Sequence, residues 1–188
     1  MELLDAHGTA LETFDRVTHR IGEWDSPTPC SEWSVRDVLN HLTEEQLWVP
    51  HLLHGETMDQ VGDRYSGDVL GNRPVARWES AAAAARAAWL EPGATEREVH
   101  LSFGASPAQL YLEQMTFDLA VHAWDIGVAI GVDPAIPAEL ARLIDRYTRP
   151  KISAWRGPIF AEEVPVDANA TAVSRLIALS GRDPHWRR

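Results

Sequence analysis

Residues 106–131 read SPAQLYLEQMTFDLAVHAWDIGVAIG, and the fold turns on how this stretch is read. Ser106 and Pro107 have the form of an N-cap followed by a first helical position, with Gln109 placed to complete a capping box. The helix that follows is apolar on almost every side, through Leu110, Leu112, Met115, Phe117, Leu119, Val121, Trp124 and Ile126. Such a helix belongs in the middle of a fold rather than on its surface. Gln114, Asp118, His122 and Asp125 interrupt it at steps of four, four and three, which aligns them in one narrow stripe. Buried carboxylates are costly when unpaired, so the stripe needs partners. Asp118 and His122, at i and i+4, have the spacing by which one helix offers two ligands to one metal ion. The same spacing also serves an Asp–His hydrogen bond inside a helical core.

Working outward, Ser34 opens a second helix whose signals agree. Ser34 with Asp37 makes a capping box, and Trp33 is placed to staple onto Val38. Val35, Val38, Leu39, Leu42, Val49 and Leu53 form its apolar face, with His41 at the edge and Glu45 and Trp48 one and two turns further on. Pro50 predicts a kink or break. Residues 2–21 show helical spacing through Leu4, Leu11, Phe14, Val17 and Ile21, with Ala10 and His7 on the same stripe and Gly22 ending the helix. Asp25 to Cys30 is a turn-rich connector, and residues 55–73 read as a long surface loop without a period. Pro74 starts an alanine-rich third helix to about Trp89, and residues 98–103 alternate as a short strand, with His100 on the polar side. Downstream, Ala138 to Tyr147 and Ala170 to Leu179 read as short helices, the second stopped by Gly181. Between them, Trp155, Ile159 and Phe160 read as packing anchors in an irregular segment.

The chain has 188 residues, enough for one domain with a full core, and residues 1–188 are read as a single domain. A net charge of -11 leaves no basic surplus for phosphate, which excludes nucleic acid as a partner. No run is long enough to span a membrane, and the first residues lack the basic region of a signal peptide. One cysteine, Cys30, excludes an internal disulfide. Its connector has no close cation to lower its pKa, so it is read as a packed residue rather than a nucleophile. These features together point to a cytoplasmic protein.

Four substantial helices with a long crossover make an all-α, four-helix bundle the natural architecture, with short additional C-terminal helices and a minor extended segment. Bundles build metal sites from side chains on facing helices. His41 on one helix with Asp118 and His122 on another give two imidazoles and one carboxylate, a set that suits Zn2+ and also Ni2+ or Fe2+. Three protein ligands leave one position open for water or substrate. Asp125 or Glu45 could accept the free N–H of a ligand histidine. Trp48 is a candidate pocket wall as well as a plain core residue.

The segments Pro27-Thr28-Pro29-Cys30 and Trp33-Ser34-Val35-Arg36-Asp37-Val38-Leu39-Asn40-His41-Leu42 resemble the N-terminal signature of the mycothiol-dependent maleylpyruvate isomerase-like, metal-binding proteins of the DinB-like superfamily. Asp118 to Asp125 is similar to the second motif of that group, and Gly181-Arg182-Asp183-Pro184 to its ending. The resemblance implies a DinB-like four-helix bundle in which His41, Asp118 and His122 bind a divalent metal, usually zinc. It also implies mycothiol as a thiol cosubstrate and an electrophile as the second small-molecule partner. The expected function is therefore a metal- and mycothiol-dependent transferase or isomerase, with no catalytic residue assigned beyond the metal ligands. A homodimer is compatible with it. The alternative is a non-catalytic metal-binding or regulatory bundle.

Overall fold

The computed structural model describes residues 1–154, 156 and 160–188. Their architecture is mainly helical, as expected. Four long helices, α1 (Leu3–Thr18), α2 (Val35–Leu53), α4 (Pro74–Trp89) and α5 (Ala108–Ala129), are joined by three shorter ones. These are α3 (Met58–Val61), α6 (Ala138–Thr148) and α7 (Ala172–Leu179). One antiparallel hairpin, β1 (Glu98–Leu101) with β2 (Gly104–Pro107), precedes α5. The chain divides into two compact units, residues 1–38 with 116–188, and residues 39–115. No helix among the described residues is long and apolar enough to cross a membrane.

In the first unit, α1 buries Ala6, His7, Ala10, Phe14 and Val17 along one stripe. α6 packs against both α1 and α7. Leu140 and Ile144 of α6 and Leu176 to Leu179 of α7 are buried there. The α2 capping box forms as read: Asp37 N–H donates to Ser34 Oγ at 3.2 Å, and Ser34 N–H donates to Asp37 Oδ2 at 2.9 Å. Gly127 lets the following connection lie against α5, because a Cβ there would sit 2.8 Å from the Val132 carbonyl oxygen and 2.9 Å from the Pro134 ring. The expected anchors Trp155 and Ile159 lie outside the described residues. Phe160 is described, and its ring meets Phe117 edge-on at 5.4 Å.

In the second unit, α4 begins at Pro74 and ends at Trp89, as expected. Trp78, Ala81, Ala82, Ala85, Ala88 and Trp89 form its buried stripe, so the alanines are packing surface rather than filler. α2 continues past Pro50 to Leu53 without the break its sequence suggested, since only one backbone donor is lost within the last turn. Residues 55–73 are not structureless. Thr57 and Gln60 close a capping box on α3, and Asn40 pins the segment by donating to the Gly67 carbonyl and accepting from Val69 N–H, both at 2.9 Å.

The start of the central helix differs from its reading. Ser106 and Pro107 belong to β2, where Ser106 pairs with Val99 and Glu98 with Pro107. Ala108 N–H donates to the Arg97 carbonyl at 2.9 Å, so the hairpin ladder satisfies the donor that a Ser106 cap would have served. Tertiary pairing displaced a local cap.

Candidate metal centre

The part of α5 that belongs to the first unit carries Asp118, His122 and Asp125. His122 is 4% exposed and Asp125 wholly buried. Asp118 Oδ1 lies 3.4 Å from His122 Nε2. A tetrahedral zinc with ligands at about 2.0–2.2 Å sets neighbouring donor atoms about 3.3–3.6 Å apart, so this pair has the separation of two ligands on one ion. The donor chemistry and the spacing both fit a divalent metal.

The other edge of the imidazole is tied back. His122 Nδ1 donates to Asp125 Oδ2 at 2.9 Å. Arg182 grips the same carboxylate, with Nη2 at 3.1 Å from Oδ2 and Nε at 3.4 Å from Oδ1. Burial works against the Arg182 charge, yet Asp125, Cys30 and Asp118 together outweigh this and hold the guanidinium above its ordinary value. An ionised carboxylate can only accept, so Nδ1 of the neutral ring carries the hydrogen and Nε2 presents its lone pair on the Asp118 side. Trp33 stacks on the imidazole at 6.0 Å with the planes 23° apart, a second restraint on the ring.

Local structure explains how these groups arrive. Gly181 follows α7 with φ of +83°, and Arg182 N–H then donates to the Ile177 carbonyl at 3.2 Å, a C-terminal turn that directs Arg182 back toward α5. A Cβ on Gly181 would also meet Ala161 at 2.9 Å. The 27–34 connector is bridged at Pro27 and Ser34, and Thr28 Oγ1 donates to the Trp33 carbonyl at 2.9 Å. That tight loop presents both Trp33 and Cys30.

Cys30, His122 and Asp125 form a second donor group whose ligand atoms lie within 4.8 Å of one another. Burial pushes the Cys30 thiol up to about 11, opposed by Arg182 and reinforced by the Asp125 and Asp118 carboxylates. A protonated thiol beside a carboxylate already held by arginine and histidine is a poorer ligand set than Asp118 with His122 Nε2.

The structure brings Asp118, His122 and Asp125 together. It places His41, half-buried, in the part of α2 that belongs to the second unit. Glu45 and Trp48, further along that helix, line a cavity of about 250 Å³ in the second unit together with Gln114. Gln114 therefore parts company with the lower half of its stripe. Trp48 also meets Tyr65 edge-on at 6.1 Å. Sequence reasoning gave no role to Arg182, Trp33 or Cys30 at the centre. The one signal for Arg182 was the demand that a buried Asp125 find a cation, with Arg182 in the turn just past Gly181.

Comparisons with known proteins bear on the fold and the family. Two proteins of Mycobacterium tuberculosis, the uncharacterized proteins MT0763 and Rv0738, are each 29% identical over 97% of this chain and 98% of their own length. A crystal structure of the mycothiol-dependent maleylpyruvate isomerase matches with a TM-score of 0.61 at 18% identity, covering 85% of this chain and 75% of that one. A mutant of the same isomerase matches with a TM-score of 0.62 over the same shares. At that identity the likeness concerns the fold. The model of the mycothiol maleylpyruvate isomerase N-terminal domain matches residues 7–127, which hold most of α1, all of α2 and α4 and the polar stripe of α5, and the chain belongs to that family.

Proposed function

We infer that Asp118, His122 and His41 hold one divalent metal ion, zinc by their donor chemistry, and that the protein works on a small-molecule thiol, mycothiol by family, and an electrophile. The observation that carries this reading is the 3.4 Å separation of Asp118 Oδ1 and His122 Nε2, with the opposite ring nitrogen fixed by Asp125 and Arg182. His41 enters from its sequence motif and from the continuity of α2, which starts at Val35 in the same unit as Asp118 and His122.

The chain's own groups divide the work. Asp125, neutralised by Arg182, keeps the His122 Nδ1 proton in place and so maintains the tautomer that donates through Nε2. Trp33 limits rotation of the ring. Asp118, 24% exposed, contributes one negative charge, so two neutral imidazoles and one carboxylate leave a dication with net positive charge and favour an anionic fourth ligand. A zinc ion in that set would hold a thiol as its thiolate at neutral pH, the form that attacks electrophilic carbon. Asp instead of a longer acid at position 118 draws the carboxylate close to its own helix.

The test is metal analysis of the purified protein, followed by calorimetric titration with mycothiol in buffers of different ionisation enthalpy. The reading predicts thiol binding that requires the metal and releases a proton near neutral pH. Equal binding to metal-free protein, or none to the zinc form, leaves a non-catalytic metal bundle as the better account.

A further inference from the structure

The last turn of α2 carries a polar cluster that the metal reading does not use. Gly55, with φ of +86°, turns the chain back so that Glu56 N–H donates to the His51 carbonyl at 3.0 Å. That turn sets the Glu56 carboxylate against the His51 ring, with Oε1 2.7 Å from Nδ1. At the other ring nitrogen, Nε2, the Tyr65 hydroxyl lies 2.7 Å away. Tyr65 arrives on the 55–73 segment that Asn40 pins, and its ring packs edge-on against Trp48, one turn before His51 on α2. An ionised carboxylate only accepts, so Nδ1 of the neutral ring carries the hydrogen and donates to Glu56. Nε2 is left as an acceptor, and the Tyr65 hydroxyl donates to it. The hydrogen bond from His51 holds the Glu56 carboxyl below its ordinary value against the opposing effect of burial, which keeps it ionised at neutral pH.

Carboxylate, imidazole and hydroxyl in a row are the parts of an activated nucleophile, recognised by geometry rather than by sequence order. We propose that Tyr65 is an acyl acceptor, its phenol oxygen taking the acyl group of an activated ester or thioester. The Tyr65 oxygen attacks the carbonyl carbon, and its proton passes to His51 Nε2. The imidazolium so formed keeps its Nδ1 hydrogen on Glu56, whose charge stabilises it. The bond from the carbonyl carbon to the leaving group then breaks, its electron pair goes with the alcohol or thiol, and His51 returns the proton to that group. The product is an aryl ester on Tyr65. Arg64, with Nη1 3.4 Å from both ring nitrogens, brings a cation to the same cluster for the negative charge that develops on the carbonyl oxygen. The His51 and Glu56 side chains are 21% and 39% exposed, so the cluster is open to an acyl donor from solvent. These residues all lie within residues 39–115, and no metal is required.

The experiment treats the purified protein with N-acetylimidazole at about pH 7.5, where an ordinary histidine is mostly neutral. Acetylation of each tyrosine is followed by peptide mass spectrometry, with His51→Gln and Glu56→Gln beside the parent protein. Tyr147 on α6, half-buried like Tyr65, gauges plain access of the reagent. Tyr65 is expected to react at least about tenfold faster than Tyr147. His51→Gln should lower the Tyr65 rate about tenfold or more, and Glu56→Gln about threefold or more, with the Tyr147 rate unchanged in both. A hydrogen bond that only fastened the 55–73 segment would shield the hydroxyl, so weakening it would raise the Tyr65 rate instead. A parent Tyr65 rate no greater than that of Tyr147, or a Tyr65 rate unchanged or raised in the two variants, overturns the proposal. Circular dichroism and the Tyr147 rate check that each variant is folded; where His51→Gln fails that check, Glu56→Gln alone decides.

Discussion

From Thr116 onward, α5 buries polar groups that are tied to one another: His122 to Asp125, and Asp125 to Arg182, in a chain of hydrogen bonds. In residues 39–115 the same helix and its neighbour α2 do the opposite. Tyr111 buries a hydroxyl, and Gln46 a whole amide, with no hydrogen-bond partner among the described residues. Polar atoms that are satisfied internally rigidify what they touch, whereas each buried unsatisfied one carries a desolvation cost. The contrast separates a centre whose polar groups hold one another from a stretch that leaves one hydroxyl and one amide unmatched among the described residues.

The comparison breaks most severely at Arg182. Its side chain is 10% exposed and Asp125 is 0% exposed, so Arg182→Met leaves a buried carboxylate without its cation. The expected loss is about 3–5 kcal/mol, read as a shift in urea midpoint at unchanged slope. A loss under about 1 kcal/mol would mean that Asp125 is not charged in the folded protein.

Cys30 probes the electrostatics of the same centre. With its thiol pushed up to about 11, alkylation at pH 7 should run roughly two orders of magnitude slower than for a model thiol near ~8.5, and should speed up steadily as pH rises toward 11. A fast, pH-flat reaction at neutrality would contradict the burial and charge assigned to this residue.

Asp125→Asn sharpens the comparison rather than breaking it. The amide oxygen still accepts from His122 Nδ1, but the charge is gone, and metal affinity should fall about 10–100-fold by competition with a chromophoric chelator. The smallest effect is expected at Ser34→Ala. Removing the Ser34 hydroxyl leaves the Asp37 N–H without its acceptor and takes one of two donors from Asp37 Oδ2, for a loss of about 1 kcal/mol in the same denaturation assay.

Much of this was legible because local signals and tertiary structure agree. The Ser34–Asp37 box, Pro74 at the start of α4 and Gly181 after α7 are all short-range devices, and each appears where the residues place it. The stripe on α5 was readable from its period alone. Ser106 misled because its hydroxyl has good capping chemistry, while the β1–β2 ladder supplied the helix start by another route. Trp33 read as a staple for α2, yet its ring stacks on His122, a long-range contact that no window of sequence contains. Arg182 is 57 residues from Asp125, and its pairing depends on how α7 returns to α5. The unmatched Tyr111 hydroxyl and Gln46 amide were hidden for a related reason, since unmatched hydroxyls and amides look the same in sequence as matched ones.

The central claim is that Asp118, His122 and His41 share one metal ion. Its most direct test is metal content per chain for the purified protein beside Asp118→Ala, His122→Ala and His41→Ala, each checked for helix content by circular dichroism. The account predicts about one equivalent of divalent metal in the parent protein and a loss of most of it in all three folded variants. Stoichiometric metal retained by His122→Ala and His41→Ala, with folding intact, would contradict it.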